Sequence, residues 1–295
     1  MDIWHRLGRI FRLENLGTLF FFVLNMGIIL MFFCPDGINV KNAIPLVCVY
    51  VCTVLISLSP VGEWGLAVLV GAREIKRKDF KIRLIPLLEV VYSKAKNETP
   101  DMVDYIKLKI IYDQAANAYA IGRRTICVTE GLLQCSDDEI MGVLAHEVGH
   151  LAYGHTIIQL LIGGGNIFIF GCLYIIRITC WIITMVVSLV VGVVTRNFWA
   201  SILTAIISSI SVGIIWLWTK FCMLFLMWSM RKNEYVADEY ACKIGFGREL
   251  AYVLDNALCS NPNNGILKAL YSTHPSSDDR IARMQNMAEI HYSRY

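Results

Sequence analysis

The chain has little charge, and none at all along its longest apolar stretches. Only 17% of its 295 residues are Asp, Glu, Lys or Arg, while 56% are hydrophobic and the mean hydropathy is +0.53. That balance excludes an ordinary soluble domain. No pair among the ten cysteines has C-x-x-C spacing. A thiolate zinc module is therefore excluded and a disulfide framework is not indicated; cysteines scattered through apolar runs read as small buried hydrophobes. There is no internal repeat and no low-complexity linker. The net charge of +3 leaves no excess for a nucleic-acid surface, and no nucleic-acid partner is expected.

Five runs lack charge entirely: residues 15–35, 42–62, 156–176, 178–195 and 197–219. Each is near the roughly 20 residues that cross a hydrocarbon core as a helix, the form in which the backbone satisfies itself in lipid. The first run is longer than a signal-peptide core, lacks an A-x-A-like cleavage site and is followed by a second span, so it reads as retained. Arg6, Arg9 and Arg12 precede the first run, and Arg73, Lys76, Arg77, Lys78, Lys81 and Arg83 follow the second. Positive charge collects on the cytoplasmic side, which places the N-terminus and the central region there, with the basic run solvated beside lipid head groups.

The remaining polar sequence divides in two, and neither half is large enough to bury a good core alone. The expected organisation is a two-span region over 1–71, the first half of a cytosolic domain over 72–155, a membrane hairpin over 156–229 and the second half over 230–295. Ile106, Leu108 and Ile110 alternate with lysines as a half-buried strand, and residues 124–130 form another β-branched run. Between them Asn117-Ala118-Tyr119-Ala120-Ile121 ends at the turn-permitting Gly122. Ser136 to Glu139 is a capping box opening a helix. A further helix is expected to begin near Arg231 and stop at Gly245, and a last one at Ser276 or Ser277.

The capped helix carries His146-Glu147-Val148-Gly149-His150. Histidines at i and i+4 share a helix face, so two imidazoles reach one ion while Glu147 serves as proton acceptor without ligating. A zinc ion in that setting lowers the pKa of a water to about 7 and polarises a carbonyl. One catalytic Zn2+ needs a third protein ligand. His155 is close, but the longer three-histidine spacing would require histidine at 156, where Thr156 stands. Glu234 is the better candidate: it is paired at i, i+4 with Asp238, which would hold the tautomer of a ligand histidine. His150 and Glu234 can meet only if the chain between them crosses the membrane an even number of times. Three runs lie there, so residues 178–195 either extend the preceding span, re-enter or lie at the interface.

At these residues the chain resembles the HtpX-type membrane metalloproteases, gluzincins related to the CAAX prenyl proteases. The resemblance rests on two N-terminal spans, Asn117-Ala118-Tyr119-Ala120, the His146–His150 motif, the hairpin, Glu234 to Asp238, His274-Pro275 and Asp279-Arg280-Ile281, in that order. It implies a mainly α membrane protein in which transmembrane helices carry a cytosolic α+β zincin-like domain with a small edge sheet. It implies a zinc endopeptidase of a bacterial inner membrane that degrades damaged membrane proteins. Asn117, Ala118, Tyr119 and Ala120 would then align a peptide substrate by β-augmentation, His274 could stabilise the oxyanion, and Arg280 would be an ion-pair partner. Membrane lipid and protein or peptide substrates are the implied partners. A CAAX-type prenyl protease and a membrane scaffold with a closed structural zinc site are the rival readings.

Overall fold

The computed structural model describes residues 16–34, 37, 39–196, 198–258 and 276–292. Nine α-helices are described: α1 Leu16–Phe33, α2 Val40–Ser57, α3 Pro60–Leu69, α4 Lys78–Glu98, α5 Asp137–Tyr153, α6 His155–Thr195, α7 Phe198–Lys243, α8 Gly247–Leu258 and α9 Ser277–Tyr292. Four strands, β1 Arg73–Glu74, β2 Lys107–Ile111, β3 Ala118–Ile121 and β4 Thr125–Thr129, form one mixed sheet in the order β1-β2-β4-β3. β2 and β4 run parallel, Ile110 facing Val128, and the two outer pairings are antiparallel. The chain is thus mostly helical with a small mixed sheet.

Contacts divide the chain into two compact units. One comprises the described residues of 56–162 and 227–295; the other comprises 17–55 and 163–226. The first unit contains the sheet and a continuous apolar core. α4 buries Leu84, Leu88, Val91 and Ala95, a stripe at helical spacing. They join Ile110, Ile126 and Val128 of the sheet, Ile140, Leu144 and Val148 of α5, and Tyr240 and Ile244 of α7. Each large side chain removed from water in this way contributes about 1.5–3 kcal/mol. Of the basic run, Arg83 is committed within the fold. Its guanidinium donates to the carbonyls of Leu133 and Cys135 and to Asp137 at the start of α5.

α5 starts as its sequence dictates. The Ser136 hydroxyl accepts from the Glu139 N–H at 3.3 Å and the Glu139 carboxylate accepts from the Ser136 N–H at 2.7 Å, completing the capping box. Gly154 ends it in the left-handed region, φ 75°, where a side chain would be strained.

One of the alternatives left open for residues 178–195 is adopted, and one helix start differs from expectation. α6 runs 41 residues without a break at Arg177, so residues 178–195 extend the preceding helix. α7 begins at Phe198, not near Arg231, and carries its apolar stretch and Glu234 on one 46-residue helix. At 1.5 Å per residue these helices are about 60 and 70 Å long, twice a hydrocarbon core of roughly 30 Å. The break lies at Arg196, whose φ of 49° no helix continues through. The C-terminal end of α7 buries Ala237, Tyr240, Ala241 and Ile244, and the helix stops as expected with Gly245 just beyond it.

Candidate active site

The first unit brings its histidines and acids together on α5, α7 and α9. From α5, His146 and His150 present their Nε2 atoms 3.1 Å apart. The Glu234 carboxylate approaches from α7, with Oε1 3.3 Å from His150 Nε2 and Oε2 3.6 Å from His146 Nε2. Four donors around zinc at about 2.0–2.1 Å define a tetrahedron with edges of roughly 3.3 Å. The separations are close to those edges, each imidazole nitrogen facing a different oxygen of the Glu234 carboxylate, so the two histidines and that carboxylate fit a zinc ion with a further position open.

The close approach of α7 depends on a residue inside the motif. A Cβ on Gly149 would stand 3.1 Å from the Ala237 carbonyl oxygen, 3.2 Å from Ala237 Cα and 3.2 Å from Tyr240 Cβ. Glycine lets the two helices meet one turn from Glu234.

The far side of each histidine is also held. His146 Nδ1 lies 2.9 Å from Asp238 Oδ1, so Nδ1–H donates to that carboxylate and Nε2 is left as the nitrogen that would face a metal. Asp238 is held in turn by Arg280 of α9, whose Nε and Nη2 donate at 2.7 and 2.6 Å. Arg280 Nη1 is also 3.4 Å from Glu234. Burial opposes charge on His146, but its bonds with Asp238 and Glu234 outweigh it and raise the pKa to about 10. Burial likewise opposes charge on Asp238, yet Arg280 and His146 keep its carboxyl below the usual range.

His155 is the residue that sequence reasoning set aside. Gly154 turns the chain back, and His155 Nδ1 comes to 3.0 Å from His150 Nδ1, the nitrogen remote from Glu234. It touches the back of a histidine as Asp238 does on the other. The only sequence signal was its place directly after the helix-ending glycine.

Glu147 faces the sheet. Its Oε2 accepts from the Ala120 N–H at 2.6 Å, and its carboxylate lies within 4.8 Å of the two imidazole donors. Since that N–H points away from β4, alternation turns the peptide groups of Ala118 and Ala120 toward the edge of β3 that pairs with no strand among the described residues, where the Ala118 N–H donates to Asn117 Oδ1 at 2.9 Å. Asn117 is tied to β4 by its N–H to Thr129 Oγ1 at 2.8 Å, and its side chain donates to the Tyr119 hydroxyl at 2.8 Å. His274 lies outside the described residues.

The family model of peptidase family M48 matches residues 87–288. A protease HtpX of Hahella chejuensis is 31% identical over 192 residues, covering 57% of this chain and 61% of that protein. A protease HtpX homolog of Halobacterium salinarum is 26% identical over 271 residues, covering 77% and 84%. Among solved structures, Ste24p of S. mikatae has a TM-score of 0.51 at 18% identity, covering 88% of this chain and 62% of that one, a likeness of fold. The matched span contains both halves of the histidine and carboxylate cluster, and the chain therefore belongs to peptidase family M48.

Proposed function

We propose that this chain is an integral membrane zinc endopeptidase that hydrolyses peptide bonds of damaged or misfolded membrane proteins. The observation that carries the reading is the triangle of His146, His150 and Glu234 at zinc-edge distances, with Glu147 beside it and fixed to an edge strand. Bound there, zinc would act as a Lewis acid toward a substrate carbonyl and a water. The residues of the chain do the rest. The outward carbonyls of Ala118 and Ala120 accept from an extended substrate and bring its scissile carbonyl to the site. Glu147 accepts a proton from the attacking water and returns it to the departing amine. Asp238 holds His146 in its ligating tautomer and Arg280 holds Asp238. His155 positions His150 and does not itself ligate. Stabilisation of the oxyanion by His274 remains part of the proposal.

The membrane setting is supported by two described helical segments long and apolar enough to span, 40–57 and 171–194. The flanking arginines and lysines support a reading in which several spans cross an inner membrane and the N-terminus and catalytic unit face the cytoplasm. The test uses the purified chain in detergent with casein, with and without chelator. Activity should disappear with chelator and in Glu147→Gln, while that variant keeps its zinc. Cleavage retained in Glu147→Gln would remove the base from the mechanism. A prenylated peptide in the same assay, cleaved in preference to casein, would favour the CAAX-type reading that the likeness to Ste24p keeps in view.

A further inference from the structure

Away from the zinc-site residues, a cleft of about 370 Å³ opens between α3 and the sheet, lined by Lys107, Lys109, Arg123 and Arg124 with Trp64 and Tyr105. Its two carboxylates already have partners. Glu63 accepts from Thr125 Oγ1 at 2.7 Å and from the Arg123 N–H at 3.2 Å, and Glu74 stands 3.7 Å from Lys109. The Arg123 guanidinium donates to the Leu58 carbonyl at 3.0 Å. Among the described residues neither Lys107 nor Arg124 is paired with a carboxylate; Arg124 lies over the Tyr105 ring, 4.7 Å from its centroid. The cleft lining therefore carries four cations against two carboxylates, and Lys107 and Arg124 are the two whose charge meets no carboxylate among the described residues.

α3 is amphipathic in the opposite sense from a core helix. Glu63 and Ala67 face the sheet, while Val61, Trp64 and Val68 are 62%, 65% and 56% exposed along one stripe. The apolar segment 40–57 ends three residues before Pro60. Three extended residues reach at most about 11 Å, so the start of α3 lies within a head-group layer of the end of that segment. Exposed Trp beside unpaired Lys and Arg is the chemistry of a membrane–water interface.

We propose that α3 lies in the head-group layer with Trp64 toward the acyl chains, and that Lys107 and Arg124 in the cleft beneath it bind the phosphate of an anionic lipid. The proposal rests on the membrane-spanning reading above. A free phosphate offers the same charge, but only a lipid satisfies the apolar stripe as well. Two cations at an anionic surface, at about 1 kcal/mol each, amount to a preference of about 30-fold over a zwitterionic lipid.

The full chain is reconstituted in phosphatidylcholine nanodiscs containing a small fraction of brominated lipid. The contribution of Trp64 is read as wild type minus Trp64→Phe. Brominated phosphatidylglycerol should quench it at far lower mole fraction than brominated phosphatidylcholine. The double variant Lys107→Gln, Arg124→Gln should lose that preference while its zinc content stays full. Equal quenching by the two lipids, or a preference that survives the double variant, overturns the proposal. Millimolar inorganic phosphate that abolishes the preference would make this a free-anion site and overturn the lipid assignment. A chain extracted from membranes by alkaline carbonate would take down the spanning reading and this proposal together; an integral chain without the preference takes down this one alone.

Discussion

Replacing Gly149 by alanine separates zinc affinity from general stability. The new Cβ would meet the Ala237 backbone at 3.1 and 3.2 Å, contacts so tight that α7 must yield by a few tenths of an ångström. Overpacking of this kind costs about 1–3 kcal/mol, but alanine regains about 0.8–1.0 kcal/mol in helix propensity. The net loss is roughly 0–2 kcal/mol, a fall in Tm of only a few degrees. Zinc responds differently. Glu234 sits on the displaced turn of α7, and metal sites need donor distances within about 0.2 Å of ideal. Zinc affinity should therefore fall at least about tenfold, a loss of the size seen when the groups that orient a ligand are disturbed. The assay is competition with a chromophoric chelator, run beside thermal unfolding of the metal-free chain. A folded Gly149→Ala with wild-type zinc affinity would refute the claim that this glycine sets the ligand geometry.

Glu234→Ala should empty the site in metal analysis while leaving the fold intact; full zinc there, with loss in His155→Ala instead, would reverse the ligand assignment. His155→Ala should weaken zinc binding by about 10- to 100-fold, and His155→Asn, which keeps an acceptor, by less. No change in either would leave His155 without a positioning role. Because His146 is held up to about 10 in the metal-free chain, zinc must displace a proton from it, and affinity should weaken by about tenfold per pH unit lowered. Calorimetry in buffers of different ionisation enthalpy would count that proton, and zero protons released at pH 8 would contradict it. The sign for folding is opposite: a raised histidine stabilises the metal-free chain fully below its unfolded value of about 6.5. That contribution disappears as pH rises through about 10, so the metal-free Tm should drop across the window.

The site was legible where periodicity places it. His146 and His150 share a helix face by spacing alone, Glu234 and Asp238 share another, and the capping box fixed where α5 begins. Helix ends inside the apolar region were not legible. Arg177 reads as a boundary, yet a helix closes its hydrogen bonds internally and a lone charge does not break it. The break needs a backbone change, as at Arg196. β1 is two residues long, too short for any alternation, and lies in a basic run that reads as an orientation signal. Arg83 in that run is instead spent on carbonyls and Asp137. The contact between His155 and His150 needed the reversal at Gly154, which sequence spacing along one helix does not contain.

The free edge of β3 has a second consequence. An open strand edge that welcomes one extended peptide also invites the sheets of other molecules, the usual route to self-association. β3 limits this by being only four residues long and by having the Ala120 N–H already engaged by Glu147. The carboxylate proposed above as the proton acceptor therefore also acts as a stopper on the edge. Glu147→Gln, which keeps a carbonyl acceptor, should stay monodisperse, whereas Glu147→Ala would leave the edge uncovered and the protein prone to pair with itself.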